Sequence, residues 1–169
     1  MATNEAPARI EAGRARLAAL RPAVHAGAPW PLSERIDDAP EATWGPPEVL
    51  AHVDEKIGFW HGELGRIVAA RSDEPVPFGR ISSDAARLAA IERERRLPLD
   101  ELDAGIDAKA AALIAACAAW SDEDLARVGL HPRLGEVTVG FGLGRFIYHH
   151  LEDHADQLER ALGISPPAD

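Results

Sequence analysis

Residues 146–158 read Phe146-Ile147-Tyr148-His149-His150-Leu151-Glu152-Asp153-His154-Ala155-Asp156-Gln157-Leu158, and this stretch holds three of the chain's seven histidines. His150 and His154 are spaced i, i+4, which puts both side chains on one helix face. Leu143, Ile147 and Leu158 fall on the same face, so the two imidazoles point toward a core. Burying two polar rings there is costly unless something satisfies them. One answer is a pair of core histidines bonded to carboxylates or to each other. The other is a divalent metal, which needs a further ligand from elsewhere in the chain.

Working outward, Thr138 opens this last helix, which runs to about Leu162 before Gly163 and Pro166-Pro167 stop it. Three more long helices follow from apolar periodicity. Helix one spans about Ala8 to Val24 with Ile10, Leu17, Leu20 and Val24 inward, and Pro22 kinks or ends it. Helix two starts at Pro46-Pro47 and fades near Arg71, with Val49, Leu50, Val53, Ile57, Trp60, Leu64 and Ile67 as its seam. Helix three spans about Leu99 to Trp120. Between them, 25–45 is a loop whose Trp30 and Trp44 plug one end of the core. Residues 72–98 carry a short peripheral helix, 84–96, capped by Ser83. Ser121 caps a short turn, and 129–135 reads as loop. No stretch alternates cleanly enough to be a strand. The expectation is an all-α four-helix bundle, a single domain over 1–169, with a connection between helices two and three long enough to cross the bundle. Helices two and three then run parallel, and helix two is antiparallel to helix four.

That topology selects the third histidine. His149 faces away from His150, and His25 and His131 fall in loops. His52 and His61 lie on opposite sides of helix two and cannot serve one site. If helix two is antiparallel to helix four, His52 sits at nearly the axial height of His154, whereas His61 lies a further ~13 Å along. The candidate metal ligands are therefore His52, His150 and His154. Gln157 is on the same face one turn on, placed either for packing or to bond a ligand or a substrate. Glu152 and Asp153, and Asp54 and Glu55 beside His52, are solvated charges or histidine-orienting groups. Cys117 sits in an Ala-rich apolar helix without a basic neighbour in sequence and reads as a packed, inert thiol. Gly140-Phe-Gly-Leu-Gly144 lacks a preceding strand and the dinucleotide spacing, so it is not a phosphate loop.

These motifs resemble a known family. Trp44-Gly-Pro-Pro-Glu-Val-Leu-Ala-His52 resembles the opening of the second helix in DinB/YfiT-like proteins. His150-Leu-Glu-Asp-His154-Ala-Asp-Gln157 resembles their His-x-x-x-His-x-x-Gln signature, and Ser121-Asp-Glu-Asp-Leu with His131-Pro-x-Leu-Gly135 resembles the segment between. The likeness covers nearly the whole chain and is weakest in 72–98. It implies an up-down-down-up bundle with a divalent metal on His52, His150 and His154. Relatives include S-transferases and isomerases that use a low-molecular-weight thiol, and often dimerise. The implied function is thus a thiol-dependent S-transferase. A metal-dependent hydrolase on the same centre, or a non-enzymatic metal-binding stress-response protein, are the alternatives, so catalysis itself stays open. Imidazole ligands suit zinc or nickel, ahead of iron or manganese.

Composition sets the outer limits. The formal net charge of −10 argues against a nucleic-acid partner and leaves a small-molecule substrate. A single cysteine excludes an internal disulfide and suits the cytoplasm. Glu5, Arg9, Glu11, Arg14 and Arg16 interrupt any apolar leader, and no run is long enough for a membrane span.

Overall fold

The structure, a computed structural model, describes residues 5–34, 36, 43–71 and 73–164. Four long helical segments carry the core: α1 (Ala6–Ala26), α2 (Pro46–Ala70), α4 (Leu99–Ala119) and a C-terminal rod made of α6 (Val139–Leu143), a π-helical turn (Gly144–Tyr148) and α7 (His149–Ala161). Two short helices, α3 (Ala85–Glu94) and α5 (Asp122–Ala126), and three short strands, β1 (Val76–Pro77), β2 (Val128–His131) and β3 (Gly135–Thr138), fill the connections.

Pairing across the bundle fixes its directions. Arg14 meets Asp107 while His25 meets Asp103, so α1 and α4 are antiparallel. Arg9 binds Glu152 and Arg16 binds Glu159, so α1 runs parallel to α7. A Cβ on Gly142 would touch Leu64, Trp60 stacks on Phe146, and His52 reaches His150, so α2 is antiparallel to the C-terminal rod. The order is up-down-down-up, with the expected long connection between α2 and α4. The seam of α2 is buried as its periodicity requires, from Val49 through Ile67. Gly13 lets α1 approach α7: a Cβ there would lie 2.8 Å from that of Leu151, a separation the packed core does not allow.

Several local expectations are corrected. α1 starts at Ala6 and continues through Pro22 to Ala26. Its end is secured by the Gly27 N–H bonding to the Ala23 carbonyl and by the Trp30 indole N–H donating to the Val24 carbonyl. Trp44 is buried and plugs the core as expected, while positions 35 and 37–42 of that loop, with Pro166 and Pro167, lie outside the described residues. Asp84, not Ser83, caps α3, accepting from the Arg87 N–H. α3 is not peripheral: Arg87 and Arg95 are buried. Arg95 bonds Glu48 at 3.0 Å and the Ser33 carbonyl at 2.7 Å, tying α3 to the start of α2.

The segment expected as loop around 129–135 is a hairpin. β2 pairs antiparallel with β3, Val128 opposite Thr138 and His131 opposite Gly135, and β1 adds in parallel. The strands are too short for alternation to show. Gly129 is required by crowding, since a Cβ would fall 2.5 Å from the Phe78 ring. Gly135 takes a positive φ of 73° in the turn. The hairpin brings His131 over the aromatic pair Trp60–Phe146.

The buried Glu48–Arg95 pair gives a stability test. Arg95→Met leaves the Glu48 carboxylate buried without its cation and is expected to cost about 3–5 kcal/mol. The double change Glu48→Gln/Arg95→Met should recover most of that loss. Urea unfolding checks both; a single variant within experimental error of the wild type would contradict the pairing.

Candidate metal centre

Three imidazoles converge where the first turns of α2 meet α7. His52 and His154 are buried and His150 is half-buried. The His52 and His150 Nε2 atoms are 2.9 Å apart, and those of His150 and His154 are 2.8 Å apart. All three nitrogens lie within 4.8 Å of one another. His52 is carried by a helix that Gly45 and Pro46-Pro47 start one and a half turns earlier. His150 and His154 follow the π turn, in which the His149 N–H bonds back to the Gly144 carbonyl. Such a turn inserts an extra residue into a helix and is often found beside functional sites. Phe146 and Ile147, within this turn, are both buried, just before His150.

The surroundings hold the rings in place. The His154 Nδ1–H donates to the Gln157 side-chain oxygen at 2.8 Å, which leaves the His154 Nε2 lone pair facing the cluster. Gln157 is thus placed on a histidine, one of the two roles its position suggested. Trp44 packs edge-on against His52, ring centroids 5.5 Å apart. Arg87 Nη2 lies 3.5 Å from His52 Nδ1. Burial pushes the His52 pKa well below its ordinary value, helped by His154 and the cations of Lys56, Arg87 and Arg80. Burial likewise lowers His150, helped by Lys56 and its two histidine neighbours. Both rings are therefore neutral near pH 7, the state in which imidazole ligates metal.

The donor set fits a divalent cation. His150 Nε2 faces two other Nε2 atoms, and a neutral ring carries at most one proton there. With the His154 Nε2 bare, one proton on His150 can serve only one of the two contacts. A cation among the three nitrogens would satisfy their lone pairs together, at a nitrogen spacing of about 3.3 Å in a tetrahedral zinc site.

The other sequence candidates fall elsewhere. His149 is exposed and bonds Glu152, and Glu152 also holds Arg9, so neither orients the triad. Asp54 binds Lys109 and Glu55 binds Arg80. Asp153 is exposed and lines an opening beside His154 and Gln157. Cys117 is fully buried and its thiol is pushed up to about 12 by that burial, which removes it as a nucleophile. His25 gathers with Asp100 and Asp103, but Asp103 also pairs with Arg21, so this group is an ion-paired tie between α1 and α4. His131 is away from the triad. Its Nδ1 accepts from the Arg133 and Leu134 N–H groups, and its ring stacks on Phe146 with centroids 5.3 Å apart.

Sequence reasoning missed the cleft next to the triad. About 400 Å³ in volume, it includes His150, His131, Trp60 and Phe146, together with basic residues from five separate segments. Lys56, one turn after His52, and Arg145, shortly before His150, were readable as neighbours. Arg80, Arg87 and Arg133 were not, since only the long connection and the hairpin bring them in.

Fold and site together define an up-down-down-up four-helix bundle carrying a convergent histidine triad. No family model and no curated protein matches the sequence. Among solved structures, the fold is that of YfiT from Bacillus subtilis, described as "a probable metal-dependent hydrolase with an unusual four-helix bundle topology". The likeness has a TM-score of 0.69 at 16% identity, covering 98% of this chain and 91% of that one.

The lowered histidine pKa values carry a sign for stability. In the folded, metal-free protein His52 and His150 stay neutral below the ordinary imidazole value of 6.5, whereas the unfolded chain takes up protons there. Their contribution is complete above that value and is lost as the pH falls. Each ring should add a slope of about 1.4 kcal/mol per pH unit in that range. Unfolding of chelator-treated protein at a series of pH values measures it. A His52→Asn/His150→Asn variant should show a flatter acid limb; equal limbs would mean that the rings are not held neutral.

Proposed function

We propose that the chain is a metal-dependent enzyme acting on a small molecule, with a divalent ion held by His52, His150 and His154. The observation that carries this is the convergence of three imidazoles, with the His150 Nε2 2.8–2.9 Å from the Nε2 of each of the other two and Gln157 fixing the proton of one ring on its outer nitrogen. Zinc or nickel fits three neutral imidazoles best, ahead of iron or manganese. Such an ion supplies Lewis acidity, lowering the pKa of a water or thiol and polarising a carbonyl.

The residues of the chain do the rest. Trp44 and the α2 seam shield His52 from water. Gln157 orients His154. With Cys117 buried and inert, the attacking group comes from outside the chain. The DinB-like motifs favour a low-molecular-weight thiol as co-substrate, and so thiol-dependent S-transfer. Hydrolysis is the second reading, favoured by the description of YfiT. In the same proposal the protein works in the cytoplasm as a homodimer, without a nucleic-acid or membrane partner. No helix among the described residues is long and apolar enough to cross a membrane.

Purified protein should contain about one equivalent of metal per chain. His150→Ala should abolish that content, and Gln157→Ala should weaken affinity by roughly 10–100-fold. Elemental analysis and competition with a chelator read both. Metal-free wild type that cannot be loaded, with His150→Ala equal to it in thermal stability, would remove the proposal. A panel of thiols with a generic electrophile, run beside ester and amide substrates, separates transfer from hydrolysis.

A further inference from the structure

The cleft beside the triad has a charge opposite to that of the chain. Net charge is −10, yet five of the 18 lysines and arginines line this one cavity, and no aspartate or glutamate among the described residues does. They are Lys56 from α2, Arg80 from the β1–α3 connection, Arg87 from α3, Arg133 from the hairpin turn and Arg145 from the π turn. Segments far apart in sequence thus deliver one sign of charge to one place. Arg80 is held by Glu55 from behind, and Arg87 Nη1 donates to the Ser82 carbonyl at 2.8 Å. Arg133 and Arg145 are exposed and make no side-chain ion pair among the described residues. Clustering cations in a concave, partly apolar site raises the local potential and concentrates anions there.

The floor has a different chemistry. Trp60 and Phe146 are stacked face to face with centroids 3.9 Å apart and planes within 5°, and His131 is inclined to them by 27° and 25°. This buried stack of rings gives the cleft an aromatic wall, and with guanidinium groups around it the lining suits an unsaturated body with an anionic substituent. The volume of about 400 Å³ is that of a small-ligand site and too small for a polymer. His150 lines this cleft and belongs to the triad, so an occupant lies next to the proposed metal centre.

We infer that the cleft binds a small, unsaturated organic anion, through a carboxylate or phosphate group held by Arg133, Arg145 and their basic neighbours, and that this is the substrate class of the enzyme. The substrate assignment rests on the metal-dependent reading above; anion binding by the cleft does not.

Calorimetric titration of chelator-treated protein with 2-naphthoate, 2-naphthylphosphonate and the neutral 2-naphthamide tests it. Both anions should bind saturably, at least tenfold more tightly than the amide, and more weakly at high salt. The tighter anion tells carboxylate from phosphate. Arg133→Ala/Arg145→Ala should weaken both anions by roughly tenfold or more and leave the amide unchanged. Arg93→Ala, on an exposed arginine outside the cleft, should change nothing. Both of the substituted cleft arginines are exposed, so the double variant should keep the wild-type melting temperature. Equal affinity for amide and anions, no saturable binding, or a folded double variant with undiminished anion affinity would each overturn the inference. Because the protein is metal-free, absence of a native metal centre would not by itself produce any of these results.

Discussion

The antiparallel packing of α2 against the C-terminal rod is the constraint on which the site depends. One contact line runs from Leu64 beside Gly142, through Trp60 on Phe146, to His52 beside His150 and His154. Its apolar part is core, and its end is a cluster of nitrogens. The helices can keep this register because Gly142 gives room to Leu64 and the stacked rings of Trp60 and Phe146 set the spacing midway. A shift of α2 by one turn, about 5.4 Å, would take His52 out of reach of both partners while leaving much of the apolar seam buried. The stacked pair and the glycine therefore act as the register of the site.

Holding the imidazoles there costs solvation, and the structure meets that cost unevenly. His154 gives its outer proton to Gln157, and Arg87 approaches the outer nitrogen of His52. The inner nitrogens face one another. A core that needed only packing would fill these positions with leucine, as α2 does at Leu50 and Leu64. Three polar rings with their inner faces left to each other make sense as a donor set for a cation.

Much of this was legible in the sequence because it rests on short-range periodicity. The helical spacing of His150 and His154, the apolar face they share, and the four long helices follow from patterns of three and four residues. His52 required one topological premise, an antiparallel α2, and the observed contacts supply it. The hairpin escaped because Val128–His131 and Gly135–Thr138 are too short to show a period and are held by tertiary contacts at Gly129. The π turn at Gly144–Tyr148 escaped because apolar spacing does not distinguish it from a straight helix. Arg87 and Arg95 looked like surface charges in a charged stretch. Their burial depends on Glu48 and His52, dozens of positions away.

The electrostatics of the two neighbouring parts belong together. Burial and nearby cations hold His52 and His150 neutral, which readies their lone pairs for a metal. The same cations oppose the approach of another positive ion. The triad can thus favour the ligand-competent form of its rings while the basic cleft would weaken its hold on a bound cation. An anion in the cleft would relieve that conflict, since it would offset the arginines and attract the ion. By linkage the benefit is mutual: whatever an anion adds to metal affinity, the metal adds to anion affinity. The excess of basic groups around His150, costly to a bare metal site, becomes favourable once a negatively charged molecule is part of the assembly.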